Sequence, residues 1–230
     1  MQYPRQGAVA VAILLGLLAA LYGFGFDERQ DVVRLAAKDI RAAGKELAAR
    51  HRASRARCQA VRASDEFDAL ADAVIAVEML GTGPVQRWLE GVLVRGAVLS
   101  GLPVWDLSVG PAQIRVSTAV AAAGWAASER LASAGQGEPD RNRIALELLS
   151  SCGARAWAGR VLMMLASQLQ AGPASLDRDA VLRLAAAFNG QETVPDKEAA
   201  IAHYVYRELV YQVFQEIRFR RRTGVLAKAH

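Results

Sequence analysis

Three side chains stand out for what they could do together. Glu78 ends an apolar helical run, Ala73-Val74-Ile75-Ala76-Val77. Apolar packing penalises a charged carboxylate, which raises its pKa and lets the acid donate a proton at neutral pH. Gln113 stands in Ser108-Val109-Gly110-Pro111-Ala112-Gln113-Ile114 and carries a donor and an acceptor on one side chain. Gly110 permits backbone angles that other residues avoid, and Pro111 suits a first helical position, so this stretch predicts a turn running straight into a helix. Asn189 closes another helical run, Leu184-Ala185-Ala186-Ala187-Phe188, just before Gly190. One acid and two amides suit proton transfer to a substrate held by hydrogen bonds.

The elements that must position these groups read almost entirely as helix. Ser64 with Asp65-Glu66 looks like an N-cap with acids in the first turn, and the helix continues to Glu78 before Gly81, Gly83 and Pro84 stop it. Val85 to Leu99 is a second helix, and the central turn starts a third from Ala112 to about Ala134. Residues 133–139 form a surface loop. Further helices are predicted over 143–149, 154–170, 175–188 and 197–219, with no alternating strand pattern and no internal repeat. The fold class is all-α with a small irregular lobe.

Ahead of this domain (63–222, with a tail over 223–230) lie two further segments. Gly7 to Phe26 holds no charged residue and is long enough to span a bilayer core, so 1–26 is expected to be a transmembrane anchor. Arg5 on one side, with Asp27, Glu28 and Arg29 on the other, is expected to place the N-terminus in the cytoplasm and the rest of the chain outside, in a single pass. A cleaved signal is the competing reading, but no small-x-small site follows the apolar core. Residues 27–62 read as a helical stalk whose Val33, Ile40 and Leu47 recur every seven residues, too briefly for a coiled coil and enough for an amphipathic helix packed on its own domain. Cys58 and Cys152 are the two cysteines, and in an exported domain such a pair is expected to form one disulfide.

Composition narrows the partners. The 230 residues carry a net charge of +5 with a pI near 9.6, favouring anionic surfaces such as lipid head groups or carboxylate-bearing wall polymers. Nucleic acid is not expected for a domain outside the cytoplasm. His51, His203 and His230 have no metal-ligand spacing, so neither a metal nor a cofactor is expected.

The order of these features resembles the lytic transglycosylase branch of the lysozyme-like superfamily. Glu78 looks like its catalytic acid, Ser108 to Ile114 resembles its Gly-Leu-Met-Gln turn, and Ser117-Thr118-Ala119 resembles the Ser/Thr-Ala that follows. Ala187-Phe188-Asn189 resembles its Ala-Tyr-Asn motif, and Glu198 to Tyr211, with Tyr204-Val205, resembles its closing Glu-rich helix. The match covers about two thirds of the chain, from Asp65 to Gln215. It implies a lysozyme-like helical domain acting on peptidoglycan glycan strands, with Glu78 as single acid and base cutting the MurNAc–GlcNAc bond to leave 1,6-anhydro ends. Gln113, Asn189 and Tyr204 would orient sugar and acid, with Ser108 and Gly110 contributing contacts at the turn.

Departures from the pattern, Met79 where the family has Ser and Phe188 where it has Tyr, motivate an alternative: an inactive lysozyme-like domain that binds wall glycan or an envelope protein complex. A hydrolytic muramidase needs a second carboxylate, for which Asp106 is the candidate, although an Asp there more often caps the turn. Glu90 reads as a solvated charge. Trp88, Trp105, Trp125 and Trp157 read as core residues, with Trp105 nearest the turn if a ring stacks on sugar. Arg218, Arg220, Arg221 and Arg222 read as cations favoured at a helix C-terminus or as contacts to an anionic wall or lipid.

Overall fold

The computed structural model describes residues 39–55, 58, 65–128, 140–170, 176–190 and 197–223. The side chains of 50–55, 197–199 and 201 are outside that description. The anchor expected over 7–26, the beginning of the stalk and the C-terminal tail also lie outside the described residues. Within them no helix is long and apolar enough to cross a membrane.

The described chain is all-α apart from one small hairpin: α1 (Ile40–Arg55), α2 (Asp65–Gly81), α3 (Pro84–Leu99), β1 (Ser108–Val109), β2 (Ile114–Arg115), α4 (Val116–Ser128), α5 (Arg141–Leu148), α6 (Ser151–Gln168), α7 (Arg178–Phe188) and α8 (Lys197–Arg222). Start signals are local. Asp140 accepts hydrogen bonds from the amides of Asn142 and Arg143, Ser150 from Gly153, and Asp177 from Ala180, each supplying an acceptor for otherwise unpaired first-turn donors. Pro84 opens α3, where its missing N–H costs nothing.

α2 is the central element. Every residue from Phe67 to Val77 is buried, the two acids Asp68 and Asp72 included. α8 packs along α1, α2 and α7, while α6 packs on α2, α4, α5 and α7. The segment read as a stalk therefore contributes α1 to the domain: Leu47 and Ala48 enter the core, with Ile40 and Ala43 packed against it. The disulfide between Cys58 and Cys152 closes a separation of 94 residues and ties the chain after α1 to the start of α6.

Two acids interrupt the apolar centre. Asp68 and Asp72 on α2 are buried, and Arg155 of α6 bonds both: Nε to Asp72 Oδ1 at 2.7 Å, and an Nη to Asp68 Oδ2 at 3.0 Å. Arg221 from the end of α8 reaches Asp72 Oδ2 at 3.1 Å and also the carbonyl of Asp65. Arg218 pairs with Glu66 at 2.7 Å, and Arg220 pairs with Glu216. The C-terminal arginines read as dipole partners or wall contacts are thus, in these three cases, ion-paired within the fold. Burial pushes the Asp68 carboxyl above its usual range, and the Arg155 charge opposes this only in part.

The expected helix start at Ala112 is corrected. Gly110 has φ +74° and Gln113 φ +48°, both left-handed and incompatible with an α-helical first turn. Residues 110–113 form the tip of an antiparallel hairpin in which Ser108 pairs with Arg115 and Val109 with Ile114. Pro111 therefore lies in a turn, and α4 begins only at Val116. Two-residue strands are too short to leave a period-two signature in sequence.

Candidate functional site

Glu78 stands where the central helix meets the surface. Val77 is still buried, Glu78 is half-buried, and Met79 is exposed. The helix end is held from two sides: Thr82 Oγ1 donates to the Glu78 carbonyl at 2.6 Å, and an Arg87 guanidinium nitrogen donates to the Thr82 carbonyl at 2.6 Å. The Glu78 carboxylate is held from α8, where Tyr206 Oη donates to Oε1 at 2.7 Å. Burial, then the Glu78 charge and that hydrogen bond, raise the Tyr206 phenol well above its ordinary pKa. At neutral pH the phenol therefore keeps its proton and shares it with the Glu78 side chain as a hydrogen bond.

The turn bearing Gln113 is organised by a different acid. Glu90, on the inner face of α3, is buried, at 8% exposure, rather than solvated as the sequence suggested. Its carboxylate accepts from the Gly110 amide at 3.1 Å and from Gln86 Nε2 at 3.1 Å. Gln113 Nε2 lies 3.1 Å from each of its oxygens and 2.9 Å from the Gly110 carbonyl. Burial raises the Glu90 pKa; the bonds from Gln113, Gly110 and Gln86 and the nearby Arg87 charge pull it down by less. Gly110 is required twice over, since beyond its positive φ a Cβ there would lie 1.9 Å from the Leu148 carbonyl oxygen. The hairpin tip is thus wedged between Glu90 and the end of α5.

The other expected site residues lie on β1, at the end of α7 and on α8. Ser108 is half-buried in β1 opposite Arg115. Asn189 is the exposed C-cap of α7, its amide donating to the Ala185 carbonyl, with Gly190 following at φ +68°. Tyr204 is 53% exposed on α8 and, two positions from Tyr206, faces the other side of that helix. The structure brings Gln113 to Glu90 and Tyr206 to Glu78. Asp106 caps α4, accepting from the Ser117 amide at 2.8 Å and hydroxyl at 2.9 Å, with Arg141 at 3.6 Å. Burial alone would raise its pKa, but these hydrogen bonds and the Arg141 and Arg115 charges outweigh it and lower it.

Of the tryptophans, Trp157 is buried with Nε1 donating to Glu147, and Trp125 packs against the core. Trp88 and Trp105, expected inside, are instead exposed. Among the described residues no group of three or more His, Cys, Asp or Glu is placed to hold a metal ion.

Sequence reasoning passed over Tyr206 and Glu90. Tyr206 had a signal: it falls in register with Val210, Val213 and Ile217, the stripe that α8 turns to the core. Glu90 shares an α3 face with Val94, but α3 is apolar on two faces, so the pattern alone did not say which one would be buried. No protein-family model, curated protein or solved structure matches the chain.

Proposed function

We propose that this protein cleaves peptidoglycan glycan strands as a lytic transglycosylase-type enzyme, anchored by residues 7–26 in an inner membrane with its domain in the periplasm. The observation that carries the reading is the Glu78–Tyr206 pair. A carboxylate at the rim of a buried helix, with a phenol donating to one oxygen at 2.7 Å, has its orientation fixed at the surface where a strand can reach it. Glu90 is buried, and its oxygens accept from Gly110, Gln113 and Gln86, which makes it the clamp of the Gly110–Gln113 turn.

On this reading Glu78 gives its proton to the glycosidic oxygen as the bond from the MurNAc C1 breaks. The resulting carboxylate then takes the proton of the same sugar's C6 hydroxyl, whose oxygen closes on C1. A 1,6-anhydro end forms, the acid is restored, and no water is consumed. Tyr206 holds the carboxylate through both steps, while Ser108, Asn189 and Tyr204 offer polar groups for sugar contacts. The test is mass analysis of products from purified sacculi: anhydro-muropeptides with the wild type and none with Glu78→Gln. Equal release by that variant rejects the assignment.

A second reading is a domain that binds glycan or an envelope partner without cutting. It is favoured by the engagement of Gln113 Nε2 with Glu90 and the Gly110 carbonyl, which occupies the amide that would meet a sugar. Sacculus binding without turnover by the wild type supports it.

A further inference from the structure

α3 is apolar on the side it turns to water. Val85, Trp88, Val92 and Leu99 recur at intervals of three, four and seven, so they form one stripe along the helix. All four are exposed, Trp88 by 65% and Leu99 by 88%. Glu90 and Val94, on the opposite face, are what the domain buries. Beyond the helix end Leu102 and Trp105 are also exposed, and Arg95, three residues after Val92 and four before Leu99, stands exposed within the stripe. A run of this kind on a helix is a contact surface rather than scattered apolar exposure.

We propose that this outer face of α3, with Leu102 and Trp105, lies on the surface of a lipid bilayer. Two further observations select that occupant. The composition is interfacial: aliphatic residues, two indoles suited to the head-group boundary, and an arginine on the same face whose long stem lets its charge reach head groups, in a chain of net charge +5. Reach is the other. Residues 27–39 are all that separate the uncharged run ending at Phe26 from α1, and thirteen residues span at most about 45 Å when fully extended. A domain so tethered stays beside the membrane, where an unpaired apolar face finds its partner. The inference rests on reading residues 7–26 as an anchor and is independent of catalysis.

The experiment uses the full chain in lipid nanodiscs, one chain per disc, with brominated acyl chains as quenchers. Two of the four tryptophans lie on the face, so about half of the emission is expected to be quenched. A Trp88→Phe/Trp105→Phe variant, altered only at exposed positions, should lose that quenching while keeping its helical circular dichroism. Co-elution with the discs but no quenching, or quenching unchanged in the variant, overturns the docking and leaves the anchor standing. Failure to co-elute overturns both. Burial of the indoles only at two chains per disc assigns the face to a second copy. A response to muropeptides without one to brominated lipid assigns it to glycan.

Discussion

Gln113 Nε2 lies 3.1 Å from both carboxylate oxygens of Glu90, across 23 residues of sequence, and the Gly110 amide donates to the same group. One buried acid therefore sets the shape of the hairpin tip. It accepts the Gly110 amide and the Gln113 side-chain amide, both residues being left-handed at the tip. Removing the carboxylate strands the buried Gly110 amide and leaves Gln113 Nε2 only the Gly110 carbonyl. Glu90→Ala is expected to lower unfolding free energy by about 3 kcal/mol, and Glu90→Gln, which keeps one acceptor, by about 1 kcal/mol. Urea denaturation checks this, and an unchanged midpoint for the alanine variant would remove the clamp role.

The Tyr206 phenol makes a prediction in alkali. Its folded pKa lies above the ordinary value of about 10, so the native state keeps a proton that the unfolded chain gives up. That contribution to stability is whole below pH about 10 and falls away as pH rises from there through the raised pKa. The difference in melting temperature between wild type and Tyr206→Phe should shrink on raising the pH from about 9 to 11. A constant difference across that range counts against a perturbed phenol.

Under the proposed function, the same substitution also bears on turnover. Loss of one oriented hydrogen bond to the acid, about 1.4–2.8 kcal/mol, corresponds to a ten- to hundredfold fall in kcat. Glu78→Gln should abolish release of anhydro ends, while Asp106→Asn, altered at the α4 cap, should retain it in whatever fraction stays folded. Product analysis by mass spectrometry separates these three outcomes.

Arg155 is the counter-charge to Asp68 and Asp72 in the centre of the domain. Breaking a buried pair by deleting one member leaves uncompensated charge, so Arg155→Ala is expected to cost about 3–5 kcal/mol. Chemical unfolding measures it. A variant within 1 kcal/mol of wild type would mean that water or Arg221 already neutralises the site.

Cys58→Ser/Cys152→Ser should destabilise by up to about 4–5 kcal/mol, the chain-entropy value for so long a closed loop. Wild type under strong reductant should match the variant in the same denaturant titration. Separate midpoints for the two would point to interactions of the cysteines besides the bond.

Most of the helices were legible because their breaks act locally. Gly81, Gly83 and Pro84 close α2, and glycine and proline separate the later runs, so the all-α class follows from them, while the start of α4 does not. The cysteine pairing was legible for a different reason, that two cysteines allow one bond. Glu78 was readable as an acid at the end of an apolar run, because the five residues before it, Ala73 to Val77, are all apolar and all buried.

What stayed hidden depends on partners far along the chain. That Glu90 points inward, that Gln113 meets it, and that Tyr206 rather than Tyr204 meets Glu78 are facts about which face of one helix opposes which face of another. Arg155 with its two acids is set the same way, across more than 80 residues. A helix with two apolar faces does not declare which one the core will take, and a charge is buried only where tertiary packing brings its counter-charge. Local propensity, acting over a turn or two, settled most of the helices from sequence; long-range desolvation and pairing, which exist only once the helices have docked, shaped the hairpin and chose the contacts at the candidate site.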